Sequence, residues 1–302
     1  MDLDVKVIHQ LVGIRRLVTP GVTSATNLLD KIRDLEPAEF DVLMKAIAHL
    51  RQYASRQSVR LMMQRNYMAL RQLLEEAAQE FAATQKPPDH LVANGGAELN
   101  RHLMNFLASF RSFIDHSETH LHNADASGTW KQRFKQRASA FYDALFAYRF
   151  LYELRNYVQH CGLPFGGIHV SARRDQQGNV QTEFRAYLAR DDLLRWSNWK
   201  AIVRTDLEAQ SDEIQVLPLV EELMECIRCL NKINLTWEWE NGLLAAAQKL
   251  GPAVEEILTG HQDVDPALAI VPAHLTGPMD IQICSFPMAE LREVFDLMAG
   301  GL

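Results

Sequence analysis

The sequence predicts a mostly α-helical protein: a helical bundle with a small inserted β-hairpin, ending in a tail of mixed short elements. Three observations lead there. Long segments repeat apolar residues at the three- and four-residue spacing that lines one face of a helix. Between Ile168 and Leu188 the period changes to two, as in a half-buried strand pair. The hydrophobic fraction of 47% and charged fraction of 23% suit a chain with a sizeable core.

Val5 to Val18 carries Val7, Leu11, Ile14 and Val18 at helical spacing, closed by Pro20 and Gly21. Thr23–Thr26 opens a second expected helix, to about Leu35. A third starts near Pro37, with Phe40, Leu43, Ile47 and Leu50 on one face, and a long periodic stretch follows from about Ser58 to Ala83. Gln85–Asp89 is a linker built around two prolines. Ala97 to His120 forms a helix with a stripe of Leu99, Leu103, Phe106, Leu107, Phe110 and Ile114. After the polar loop Asn123–Thr129, one long helix is expected from about Trp130 to His160. Its stripe is Phe134, Ala138, Phe141, Leu145, Tyr148 and Tyr152, and Gly162 and Pro164 stop it.

The hairpin pairs Ile168–Ser171 with Val180–Leu188 across the turn Asp175–Asn179. Helices resume from Pro218 to about Asn234. Leu243–Leu250 and Pro252–Leu258 read as two more, with Gly251 as a break. The tail from Asp263 to Phe286 is interrupted by prolines and can add small strands, and a last helix starts near Pro287. The expected segments are an N-terminal helical region (1–86), a helical bundle (95–245, hairpin at about 167–189) and a C-terminal helix with mixed tail (246–302).

A net charge of -7 argues against a broad, non-specific nucleic-acid coat but leaves room for a local pocket. Four scattered cysteines make a disulfide framework improbable. No apolar run reaches the length of a membrane span, and the start lacks the pattern of a signal peptide. The expectation is a cytoplasmic protein without membrane contact.

The chemistry is concentrated in Glu153-Leu154-Arg155-Asn156-Tyr157-Val158-Gln159-His160-Cys161-Gly162-Leu163-Pro164. Arg155 can clamp phosphate oxygens in a planar, two-pronged contact. Histidine titrates near neutral pH and can move protons. Asn156 can orient either group and shares a helix face with His160, four residues on. Together they suit RNA cleavage without a metal, in which the ribose 2′-hydroxyl attacks the adjacent phosphorus. On a regular helix, however, Arg155 and His160 are turned apart by over a third of a circle. They converge only if the last turn unwinds or a second subunit supplies one of them.

An arginine five to seven residues before a histidine is expected roughly twice by chance in such a chain. A second match exists, Arg111-Ser112-Phe113-Ile114-Asp115-His116. The first is set apart by the asparagine after its arginine, its place at the end of an aromatic helix and its Gly-Leu-Pro stop. With these features the stretch from about Ala97 to Asn234 resembles the HEPN superfamily (higher eukaryotes and prokaryotes nucleotide-binding domain). That resemblance implies a helical bundle and a metal-independent endoribonuclease, as in toxins and phage-defence effectors. It gives Arg155, Asn156 and His160 the catalytic roles, needs no cofactor or metal, and implies RNA as substrate. It further implies a two-fold homodimer with the motif helices near the axis, and a possible antitoxin or other protein partner. The alternatives are an inactive helical module binding RNA, nucleotide or a protein, and a structural protein in which Arg155 pairs with Glu153 or Asp115 and His160 caps its helix.

Arg111, Asp115 and His116 are further candidates for substrate contact, because the two long helices are expected to be neighbours. The basic run Lys131, Arg133, Lys135 and Arg137 can steer an RNA backbone, although such runs are more often solvated helix faces. His116 and His120 have a zinc-compatible spacing but no third ligand, so exposed helix-end histidines are the better reading. Cys226 and Cys229 lie inside an apolar-periodic helix and read as core cysteines.

Overall fold

A computed structural model describes residues 7–18, 25–86, 88, 96–162, 164–174, 180–261, 263–273 and 281–300. These residues are mostly helical, with two small antiparallel sheets where a single hairpin was expected. Packing divides the chain into two compact units. One joins the two ends of the chain, residues 1–55 and 236–302, and the other is residues 56–235.

The first unit corrects the start of the sequence reading. The two segments expected to be the first helices are strands β1 (Val7–Val18) and β2 (Ala25–Leu35), paired antiparallel with His9 opposite Leu35. Pro20 and Gly21, read as a helix stop, lie outside the described residues. β1 also pairs with β6 (Asp265–Pro272), His9 facing Ile270, and β7 (Gln282–Ser285) completes the order β2-β1-β6-β7. The spacing of Val7, Leu11, Ile14 and Val18 was compatible with a helix. β1 is rich in β-branched residues, however (Val7, Ile8, Val12, Ile14 and Val18), and a strand from the far end of the chain covers it. Gly13 marks the tightness of that cover: a Cβ there would lie 2.8 Å from the Val264 side chain. Val12 packs with Ala267 and Ala269. Tyr53 donates its hydroxyl hydrogen to Glu293 (3.0 Å), and Arg33 bridges Glu39 and Glu256.

Helix α1 (Pro37–Thr84) is continuous through the two periodic stretches read separately, and the division between units falls within it. The second unit continues with α2 (Ala97–Ala124), α3 (Thr129–Ala144) and α4 (Phe146–His160). The long helix expected from Trp130 to His160 is therefore two. Leu145 takes an extended conformation (φ -115°, ψ 122°) between them. The carbonyl groups freed at the end of α3 are met by Arg149, whose guanidinium donates to the Tyr142 and Asp143 oxygens at 3.2 and 3.1 Å. Arg149 also pairs with Asp206, far along the chain.

The expected hairpin is present as β3 (Phe165–Arg174) and β4 (Val180–Ala189), Val170 facing Phe184; its turn, Asp175–Asn179, lies outside the described residues. A third short strand, β5 (Glu213–Gln215), extends it. The short helices α5 (Arg190–Leu194) and α6 (Ala201–Glu208) precede it, and α7 (Val216–Glu240) follows. In the first unit, α8 (Leu243–Gly260) runs unbroken through Gly251 and Pro252, where a break was expected, and α9 (Met288–Gly300) is the last element among the described residues. No helix among the described residues is long and apolar enough to cross a membrane.

The core under the motif is aromatic. Phe106, Phe110 and Phe113 of α2, Phe134 of α3, and Tyr148 and Phe150 of α4 are all buried. Burying such rings fixes helix positions strongly, each contributing on the order of 2–3 kcal/mol.

Candidate functional site

Helix α4 stays regular through His160, and the Cys161 amide still donates to the Tyr157 carbonyl oxygen at 2.8 Å. Gly162 then takes φ +124°, a backbone region that side-chain-bearing residues rarely adopt, and ends the helix. The unwinding that would bring Arg155 and His160 together within one chain does not occur. At 100° per residue the two lie about 140° apart around the helix. Gln159, Tyr152 and Asn156 fall in the arc between them. Arg155 is half-buried and His160 exposed, so solvent reaches both. Neither side chain has a hydrogen bond or ion pair among the described residues.

The neighbouring carboxylates are already occupied. Asp115 pairs with Arg111 of its own helix at 3.0 Å. Glu153 is 6% exposed, and its Oε1 lies 2.6 Å from the Lys200 ammonium. The same oxygen accepts from the Tyr142 hydroxyl at 3.2 Å, and Oε2 accepts from the Asn156 side-chain amide at 3.2 Å. Both carboxylate oxygens are thus engaged, as burial of a charge requires. The Glu153 hydrogen bond is the main cause that holds the Lys200 pKa above the ordinary lysine value; burial works against it.

Tyr152, Asn156 and His160 succeed one another at four-residue spacing and form one stripe of α4. Two cations rest against the first ring of that stripe. The Arg111 guanidinium lies 4.8 Å from the Tyr152 centroid and the Lys200 ammonium 6.0 Å. Lys200 is also 5.0 Å from the Tyr142 centroid. Arg111 of α2 therefore meets the motif helix. His116 is exposed one turn further along α2, and Asp115 is exposed and held by Arg111.

The basic run lies on α3, of which only Phe134 is buried. Arg133 stacks over Trp130 (4.3 Å) and Arg137 over Phe141 (4.5 Å). Lys131 and Lys135 line a shallow surface groove with Gln132, Gln136, Ser139 and Asp143. A separate cavity of about 280 Å³ lies between α1, β4 and the start of α7, and shares no residue with the motif cluster. Of the CxxC pair, Cys226 is buried and Cys229 exposed, and burial pushes the Cys226 thiol up to about 11. Among the described residues no three His, Cys, Asp or Glu side chains are grouped to hold a metal ion.

Lys200, Tyr142 and Tyr152 belong to this cluster and were not singled out from the sequence as site residues. The shared face of Asn156 and His160 was readable from their spacing, whereas Tyr152 was assigned to the apolar stripe. Lys200 gave no such signal, because only packing of α6 against α4 brings it to Glu153. No family model, curated protein or solved structure matches the chain.

Proposed function

We propose that this chain is a metal-independent endoribonuclease of the HEPN type, acting in the cytoplasm as a toxin or phage-defence effector. The observation that carries the reading is the state of Arg155 and His160. Both have no protein partner among the described residues, while the carboxylates that would make Arg155 merely structural are held by Lys200 and Arg111. A cation and an imidazole left open at a solvent-reachable helix end suit an anionic substrate.

In this reading the His160 imidazole takes the proton of a ribose 2′-hydroxyl, and the 2′-oxygen attacks the adjacent phosphorus. The bond from phosphorus to the 5′-oxygen breaks, that oxygen takes up a proton, and a 2′,3′-cyclic phosphate remains. Arg155 stabilises the charge that develops on the phosphate oxygens. Because the two side chains diverge by about 140° on one regular helix, a pair of chains meeting at the ends of α4 would set Arg155 of one copy beside His160 of the other. A two-fold contact of this kind is closed and self-complementary. Arg111 and the cations Lys131 and Arg133 of α3 would carry flanking phosphates.

The same divergence favours a second reading, an inactive module that binds RNA, a nucleotide or a protein partner such as an antitoxin. Incubation of the purified protein with total RNA in chelator, beside His160→Ala, separates them. Cleavage leaving cyclic phosphate ends, absent with DNA and absent in the variant, supports the nuclease. Binding without cleavage supports the module, and cleavage by a folded His160→Ala protein at the wild-type rate removes His160 from the mechanism.

A further inference from the structure

The turn joining α5 to α6 is fastened to the motif helix by aromatic packing. The Trp199 indole N–H donates to the Leu193 carbonyl oxygen at 2.7 Å. Its ring stacks on Tyr157, 5.6 Å between centroids with planes 7° apart, and lies 5.9 Å from Phe150. Trp196 meets Tyr157 edge-on at 5.6 Å, and Arg149 ties α4 to Asp206 of α6. Tyr157 is itself part of the Arg155–His160 segment. Lys200, the residue before α6, is thereby delivered to Glu153 at 2.6 Å.

We propose that Lys200 is a positioning residue for the site: it compensates the buried charge of Glu153, which in turn fixes the orientation of Asn156. The inference rests on the nuclease reading for its catalytic consequence, though not for its geometry. Lys200 is the one cation ion-paired to Glu153 among the described residues. The carboxylate accepts from the amide NH2 of Asn156 and so decides which way that amide faces. With NH2 turned to Glu153, the Asn156 carbonyl oxygen is left as the acceptor one turn before His160, on the same stripe. Without Lys200, Glu153 would be a buried charge held only by neutral donors, a costly arrangement that its side chain would shift to relieve. That shift alters what it offers Asn156.

The test is a set of variants read by cleavage kinetics and by the NMR signals of the Asn156 side-chain amide. Lys200→Met is expected to lower kcat by about tenfold or more while KM for RNA changes little, a loss of the size that misplaced groups cause. Lys200→Arg keeps the charge and should retain most activity. The double variant Lys200→Met/Glu153→Gln should match Glu153→Gln alone, because a neutral amide needs no counter-cation. A Lys200→Met effect confined to KM, or a double variant well below Glu153→Gln, would show that Lys200 binds RNA directly and overturn the proposal. If Lys200→Met fails to fold, the comparison of the double variant with Glu153→Gln still decides. If the wild type cleaves no RNA, the nuclease reading fails, and the Asn156 signals decide the rest. They should shift in Lys200→Met and remain at their Glu153→Gln positions in the double variant; signals that do not move in folded Lys200→Met overturn the positioning role.

Discussion

The chain carries the same arginine-to-histidine spacing twice, and the two occurrences differ in what their arginines hold. Arg111 is tied to Asp115 and rests on the Tyr152 ring, while His116 stands exposed on the next turn of α2. Arg155 has neither carboxylate nor ring among the described residues, and its helix ends beside Gly162. A short spacing therefore says little by itself. What distinguishes a candidate site is whether its charged groups are already satisfied by the protein, since a satisfied cation has less to offer a ligand.

The sharpest way to break this comparison is to remove each histidine. His160→Ala is expected to lower RNA cleavage by about 10³-fold, within the range for loss of a general acid–base group, whereas His116→Ala should leave it within about threefold. Comparable losses from both would mean that the second spacing belongs to the site as well. Thermal melts should show both variants folded as the wild type, because both side chains are exposed.

The next test concerns arginines. Arg155→Lys should lower cleavage by about 10²-fold, because lysine keeps the charge but loses the planar two-pronged contact with phosphate. Arg155→Met should cost less than about 0.5 kcal/mol of stability, as for a substitution that breaks no interaction. Arg149→Met, by contrast, should cost roughly 3 kcal/mol in denaturant unfolding, because it strands Asp206 and the carbonyls at the end of α3. Equal stability losses at Arg155 and Arg149 would show that Arg155 is a structural residue.

Smaller effects refine the picture. Arg111→Met should weaken RNA binding by about five- to tenfold with kcat little changed, the signature of a flanking phosphate contact. The Lys200–Glu153 pair supplies a pH test. The Lys200 pKa is raised in the folded chain, so its contribution is fully present below the ordinary lysine range and is lost only as pH rises through the raised value. The stability difference between wild type and Lys200→Met should therefore stay constant from about pH 7 to about pH 9. A difference that fades across that window would contradict the ion pair as the source of the stabilisation.

The longer helical stretches of the second unit, though not the short α5 and α6, were legible because a helix is closed by hydrogen bonds four residues apart, so its apolar stripe and stop signals lie within one short window. The α2 stripe, the end of α4 at Gly162 and the hairpin of β3 and β4 follow from such local rules. The motif residues, and the shared face of Asn156 and His160, were equally a matter of spacing. The strands at the start of the chain were not, because the Val7 to Val18 spacing fits a helix and the partner that covers β1 comes from residues 265–272. The break at Leu145 was hidden for a similar reason: the groups that Arg149 satisfies there are joined by Asp206, far along the chain. Sequence alone determined which residues are the candidates for chemistry. Tertiary structure decided which of them have a protein partner among the described residues, because ion pairs such as Lys200–Glu153 form between residues that only packing brings within reach.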